Sequence, residues 1–245
     1  MKTISLLLIL LFFGCSKPSD CVKSSGTLTT KTFENLSFDR ILVFTGINVV
    51  VVQGNACKVS VSTGQNLIDD IDVSVQNRRL ILKDKTTCNW IRDYGETVVT
   101  VTAPALTEIY SKTEGNISSI GTLTFSALKI LALDNFDGLG GSGTGDFRLD
   151  INNQSLEIVN NSFANIEISG QTNYCNIAVY EGNGKIKTQN LVSQHVQVYH
   201  RGSNGIWVHP VLSIKGNLLN VGNVFCSPKP GIIDVNCLFK GQLIF

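Results

Sequence analysis

The chain has 245 residues, of which 43% are hydrophobic and 16% are charged, and its formal net charge is +1. This hydrophobic content can fill a buried core, whereas the near-neutral charge provides no strong field to recruit nucleic acid or an anionic membrane surface. The 22 glycines and the single methionine are typical of an all-β chain with many tight turns.

The N-terminus carries a predicted secretory signal over residues 1–14. A lysine at position 2 precedes an apolar run that ends at Phe13 and is too short to span a bilayer as a mature helix. Cys15 directly follows Gly14, and this arrangement resembles the bacterial lipoprotein signal, in which the cysteine is lipidated. The alternative is an ordinary secreted protein with a chance cysteine. We expect lipidation of Cys15, a polar tether over residues 15–32, and a folded part that stays in water.

Six cysteines remain when Cys15 is assigned to the lipid. Export into an oxidising compartment favours disulfides. The expected pairs are Cys57 with Cys88 and Cys226 with Cys237, since each would link neighbouring strands. A zinc site is the competing interpretation, but the chain has no Cys-x-x-Cys spacing, so we expect no metal.

Residues 33–105 contain short segments of alternating apolar residues but no regular repeat. The alternation predicts strands, and residues 66–71 are expected to form a loop or a short helix. We interpret this portion as an irregular β cap at the N-terminal end of the fold. The predicted strands cover residues 38–44, 47–52, 58–62, 73–75, 80–82 and 98–101.

Residues 106–245 repeat one short apolar pattern six times. The third position of each segment is Ile or Val and recurs after 21, 28, 21, 19 and 16 residues. A period of about 20 residues is typical of a solenoid, and alternation of period two makes its units strands. A four-stranded propeller blade would need about 40 residues. The sequence therefore predicts an all-β fold, a right-handed parallel β-helix with a C-terminal cap, whose core column is Ile109, Ile130, Ile158, Val179, Val198 and Ile214.

Several short motifs together carry a family resemblance over about residues 33–245. The motifs are Phe38-x-x-Ile41, Gly46-Ile47-Asn48-Val49-x-Val51 with Gly54, Leu80-Ile81-Leu82, Cys88-Asn89-Trp90 with Tyr94, and Gly222-Asn223-Val224 with Pro228. Together with the repeated segments, they resemble the GIN-domain family of bacterial envelope proteins, also described as an auto-transporter adhesin head. The resemblance implies a β-helical fold, an envelope location and an adhesive or scaffolding role, and it carries over no catalytic residue.

Two patterns in the long turn after residue 132 resemble functional motifs. Gly138, Gly140 and Gly143 match a dinucleotide-binding spacing, but that site needs a helix afterwards, and residues 144–150 show no helical period. Acidic residues around the same turn could bind calcium or act as general acid and base. Asp also caps turns through backbone N–H groups, and we expect this structural role. The acidic residues are Asp134, Asp137, Asp146 and Asp150.

Three histidines could suggest a metal site. His195 and His200 are separated by an odd number of residues, so on one strand they face opposite sides. We therefore expect no site shared by His195, His200 and His209.

The position that follows the core column is expected to face outward, because neighbouring strand residues point to opposite faces. In this row Tyr180 and Tyr199 would lie on neighbouring coils, where two aromatic rings could contact a sugar ring or a partner's surface. The alternative is that the row only covers the sheet or is itself buried. The row contains Tyr110, Leu131, Val159, Tyr180, Tyr199 and Lys215.

The preferred function is a non-catalytic, lipid-anchored binding or adhesion module of the bacterial cell envelope. We expect an outer-membrane lipoprotein, periplasmic or surface-exposed, that needs no cofactor. The expected partners are the membrane through the lipid, and a glycan or an envelope or host surface protein; a homo-oligomer is also allowed. One alternative is a carbohydrate-active enzyme, a polysaccharide lyase or hydrolase, with the acidic turn as its site. The other is a structural oligomeric scaffold.

Overall fold

A computed structural model describes residues 23–86, 97–134 and 138–245. The signal segment, Cys15, Cys88 and Asp137 lie outside these residues. In the described part every regular element is a strand, so no helix there is long and apolar enough to cross a membrane. The strands are β1 Leu28–Phe33, β2 Arg40–Phe44, β3 Asn48–Gln53, β4 Lys58–Gly64, β5 Ile71–Gln76, β6 Arg79–Asp84, β7 Val98–Ala103, β8 Glu108–Lys112, β9 Ile117–Leu123, β10 Ala127–Ala132, β11 Phe147–Asn160, β12 Ile166–Val179, β13 Ile186–His200, β14 Ile206–Leu218, β15 Val224–Cys226, β16 Ile232–Cys237 and β17 Leu243–Ile244.

The strands form where β-branched residues alternate between core and surface. In β3 the side chains of Val49 and Val51 are buried, whereas Val50 and Val52 are not. β-Branched side chains pack well on such a half-buried pleated surface. Residues 66–70 form turns, and residues 28–32 of the segment predicted as tether form most of β1.

Two columns of parallel strands make up most of the sheet. In the first column, β9 and the beginnings of β11–β14 stack in order, followed by β15 and β17. In the second column, β8, β10 and the ends of β11–β14 stack in order, followed by β16. Each of the long strands β11–β14 therefore belongs to both columns. In the first column, for example, Phe147 pairs with Ile166, and Ile166 pairs with Ile186.

The N-terminal part continues both columns and adds antiparallel strands at its edge. β2 pairs with β8 and β3 pairs with β9, both in parallel. β1 pairs with β4, β4 with β7, and β5 with β6, all antiparallel. The described residues form an all-β fold, whose strands curl around one apolar core in the manner of a half-barrel.

The side chains of the predicted core column are buried. All six are 0% or 1% exposed. However, the register differs from the predicted alignment in two coils: Ile177, rather than Val179, pairs with Ile158, and Gly216, rather than Ile214, pairs with Val198. On β12 both Ile177 and Val179 point inward, and on β14 both Ile214 and Gly216 do. Because none of these residues is polar, the hydrophobic pattern alone does not determine which of them aligns with the neighbouring strand.

The predicted disulfide between Cys226 and Cys237 is not formed. Both cysteines are free thiols, as is Cys57, whose predicted partner lies outside the described residues. The register explains the separation, because Cys226 pairs with Val208 whereas Cys237 pairs with Leu218, in different columns of the same long strand β14. Burial also raises the pKa of the Cys226 thiol to about 11.

Candidate functional site

The predicted row of outward side chains divides into a buried part and an exposed part. Leu42, Tyr110, Leu131 and Val159 form a cluster in which no member is more than 9% exposed. This part of the row is buried, which is the alternative stated above, and it packs as a second, smaller apolar cluster. The other members of the predicted row, Tyr180, Tyr199 and Lys215, are partly or largely exposed.

The two tyrosines predicted as a ligand face are neighbours. The ring centroids of Tyr180 and Tyr199 lie 5.5 Å apart, with an angle of 53° between the ring planes. Tyr180 is 48% exposed and Tyr199 is partly buried. Register places Ala178, not Tyr180, beside Tyr199, so Tyr180 contacts Tyr199 from just beyond the end of β12.

A cavity of about 270 Å³ lies on the outward face of β12, β13 and β14, where the second-column segment of each strand begins. The rings of Tyr174 and His195 stack beside it, with centroids 5.2 Å apart and planes 18° apart. His195 Nδ1 lies 2.8 Å from the hydroxyl of Ser213, which fixes the imidazole against the next strand. The cavity is lined by Tyr174, Cys175, Asn176, His195, Val196, Gln197, Ser213 and Lys215.

Sequence reasoning did not identify this cavity. A signal was present, because Tyr174 and His195 are 21 residues apart, which equals a coil step, as are Asn176 and Gln197. The one-column alignment followed only the core position and its neighbour, and therefore left these residues aside.

The acidic residues of the long turn are engaged in local hydrogen bonds. The hydroxyl of Ser142 donates to Asp134 at 2.5 Å, and the hydroxyl of Ser169 donates to Asp150 at 2.9 Å. Within residues 23–86, 97–134 and 138–245, no group of three or more His, Cys, Asp or Glu side chains could hold a metal ion.

Asp146 belongs to a ladder of polar side chains that joins the turns before successive strands of the first column. The Asn48 side-chain oxygen accepts from the Asn116 backbone N–H at 2.8 Å, and the Asn116 oxygen accepts from the Asp146 N–H at 3.3 Å. Asp146 in turn accepts from both the backbone N–H and the side-chain amide of Asn165, at 3.2 and 3.0 Å. The Asn165 oxygen then accepts from the Lys185 N–H at 3.3 Å. Asp146 thus accepts a hydrogen bond from the backbone of the next turn, as predicted for an aspartate in a turn.

The three histidines are separated from one another. His195 lines the outer cavity, whereas His200 is 1% exposed on the opposite face of β13, in agreement with the odd spacing. His209 is hydrogen-bonded to the backbone oxygen of Gln189 at 3.2 Å.

His200 is held by two backbone groups of the following turn. The Gly202 N–H donates to Nδ1 at 3.3 Å, so Nε2 carries the proton and donates to the Asn204 oxygen at 2.9 Å. Burial lowers the pKa of His200 from its ordinary value of 6.5, and the hydrogen bond to Asn204 opposes this shift only in part.

We expect His200 to make the protein less stable in mild acid. Below pH 6.5 the unfolded chain binds a proton that the folded chain resists, so the free energy of unfolding falls with pH, by at most about 1.4 kcal/mol per pH unit. The measurement is urea unfolding of the full chain and of His200→Gln between pH 5 and 8. The stability advantage of the native chain over the variant should shrink as the pH falls. Parallel stability curves would contradict this assignment.

The fold is similar to that of several solved bacterial proteins. A structure described as a putative adhesin from Bacteroides fragilis NCTC 9343 is 21% identical, with a TM-score of 0.78 over 89% of this chain and 96% of that chain. Another from Parabacteroides merdae ATCC 43184 is 16% identical, with a TM-score of 0.64 over 90% and 97%. A putative lipid binding protein from Parabacteroides distasonis ATCC 8503 is 16% identical, with a TM-score of 0.61 over 90% and 98%.

The amino-acid sequence matches a known protein family. No curated protein gives a significant match. The matching family profile covers residues 37–230, well over half of the 245 residues. This range includes strands β2 to β15 and all residues that line the cavity. The chain therefore belongs to the family described as "Putative auto-transporter adhesin, head GIN domain".

Proposed function

We propose that the protein is a non-catalytic adhesion module of the bacterial cell envelope, anchored by a lipid at Cys15. The observation that carries the proposal is the family assignment over residues 37–230, which describes an adhesin head. The aspartates considered for catalysis support it, because Asp134, Asp146 and Asp150 are engaged in structural hydrogen bonds.

The architecture proposed for this module is a right-handed parallel β-helix. Its support is the parallel register of β11, β12 and β13, in which successive long strands are offset by 19 to 21 residues along the chain. Coils stacked in this way present a long ladder of outward side chains, and a rigid ladder suits repeated contacts with a partner.

The Tyr180–Tyr199 pair is the proposed contact with a partner surface. Tyrosine offers a large contact area at low cost in conformational entropy, and its hydroxyl tolerates water. The partner would be a glycan or an envelope or host surface protein.

We expect beads that carry the purified full chain to be retained on surfaces coated with mucin or with fibronectin. Tyr180→Ala combined with Tyr199→Ala should lower retention while leaving the thermal transition nearly unchanged. Phe163→Ala is the matched control, since Phe163 is an exposed aromatic side chain (62%) outside this pair. No retention of the native chain on either surface would remove the support for adhesion. A large loss of stability in the double variant would instead show that the pair is part of the core.

We expect Cys15→Ser to release the protein from the membrane fraction. Without the thiol no lipid can be attached, and no other anchor is proposed. The measurement is fractionation of cells that express the full chain, together with mass spectrometry of the N-terminus. The lipoprotein hypothesis is rejected if the variant stays membrane-bound and its N-terminus is unmodified.

A further inference from the structure

The cavity beside Tyr174 differs from the rest of the second column in its electrostatics. Along the row that contains Asn176, register aligns Lys129, Glu157, Asn176, Gln197 and Lys215 on successive strands. Lys129 and Glu157 form an ion pair with 3.0 Å between nitrogen and oxygen. The next two positions, Asn176 and Gln197, are neutral amides, so the row carries no charge between Glu157 and Lys215.

The two amides differ from other amides that are stacked between coils. The side chain of Asn173 donates to Gln154 at 2.5 Å, and that of Asn236 donates to Asn217 at 3.1 Å. In contrast, the exposed side chains of Asn176 and Gln197 form no hydrogen bond with any of the described residues. Their donors and acceptors are therefore open to a ligand in the cavity.

An aromatic wall stands beside these amides. Tyr174 is 59% exposed and stacks on His195, which hydrogen-bonds to the buried Ser213. Residues 174 and 176 point to the same side of β12, about 6.6 Å apart along the strand. A ligand in the cavity thus meets aromatic carbon on one side and amide groups on the other.

We infer that this cavity binds an uncharged sugar unit of a glycan. A pyranose presents C–H groups that pack against aromatic rings and hydroxyl groups that exchange hydrogen bonds with amides, which matches the two sides of the cavity. Among the described residues, the lining consists mostly of uncharged groups, with Lys215 as its one charged side chain, so most of the contacts that the cavity offers are with uncharged groups. The inference rests on the proposed adhesive function and names both its ligand class and a site distinct from the Tyr180–Tyr199 pair.

The test measures binding of the purified full chain to immobilised mannan, xylan and galactan, with hyaluronan as the acidic comparison. We expect binding to at least one neutral polysaccharide and a loss of about tenfold in Tyr174→Ala and in the double variant Asn176→Ala with Gln197→Ala. Tyr174→Phe keeps the aromatic wall and should bind nearly as well as the native chain. Phe163→Ala removes an exposed ring elsewhere and should leave binding unchanged.

The outcomes separate this inference from the proposed function. Absence of neutral polysaccharide binding, binding to hyaluronan alone, or binding unaffected by the variants overturns the sugar site. If retention on mucin or fibronectin persists in that case, the adhesive function stands without it. A shift from dimer to monomer in the variants, with unchanged polysaccharide binding, would make the face a self-association surface and also overturn the inference.

Discussion

Replacement of Ile158 by Ala is expected to lower the free energy of unfolding by about 2–5 kcal/mol. Ile158 is fully buried and lies between Ile130 and Ile177 in the register of the second column. Truncation removes apolar atoms from the core and leaves a cavity, because stacked neighbours on both sides cannot collapse freely. The measurement is urea unfolding of the full chain, with the midpoint and the slope compared between variants.

Ile120→Ala is the matched control for this substitution. It deletes the same atoms from a side chain that is 65% exposed, so the expected change is within about 0.5 kcal/mol. Equal effects of the two substitutions would contradict the core assignment. A change in slope for Ile158→Ala would indicate that the stacked strands no longer unfold as one unit.

The core was predictable because two periods agree in the sequence. Alternation of period two selects the inward side chains, and the step of about 20 residues brings them into columns. The same pattern left the register open, since Ile177 and Val179 both point inward and both are almost completely buried. A slip of two residues preserves the core, and it changes which outward residues become neighbours.

That ambiguity affected the candidate site more than the fold. In the alignment predicted from the sequence, Tyr180 and Tyr199 share a row. In the structure, Ala178 is the residue that pairs with Tyr199. Their contact survives because Tyr180 lies only two residues further along the chain. The burial of Tyr110, by contrast, depends on packing of the outer cluster, which no local sequence pattern encodes.

Cavity and cysteine assignments depend on long-range register rather than on residue type. Asn176 and Asn173 look alike in the sequence, but only Asn173 finds a partner on the neighbouring coil. Cys226 and Cys237 are close in the chain, yet they belong to different columns. These differences depend on which strands pair and in which register, and the local sequence around each residue does not determine that pairing.

Backbone geometry gives the second large expected effect, at Gly170 in β12. Gly170 has a φ of +106°, and a Cβ there would collide with the backbone oxygen of Ile151 on the neighbouring strand. Gly170→Ala combines two costs: about 1–2 kcal/mol for a left-handed conformation, and about 1–3 kcal/mol for forcing an extra carbon into packed structure. We therefore expect a loss of about 2–5 kcal/mol in the free energy of unfolding.

Two other glycines separate these costs. Gly121 also has a positive φ, +73°, but a Cβ there has no neighbour within 4 Å, so Gly121→Ala should lose only about 1–2 kcal/mol. Gly231 has neither restriction, and its replacement by Ala should be nearly neutral or slightly stabilising. Urea unfolding of the three variants should rank their losses as Gly170, Gly121 and Gly231. If Gly170→Ala costs no more than Gly121→Ala, the close approach of β11 and β12 at Gly170 is wrong, and so is the parallel register that brings Gly170 beside Ile151.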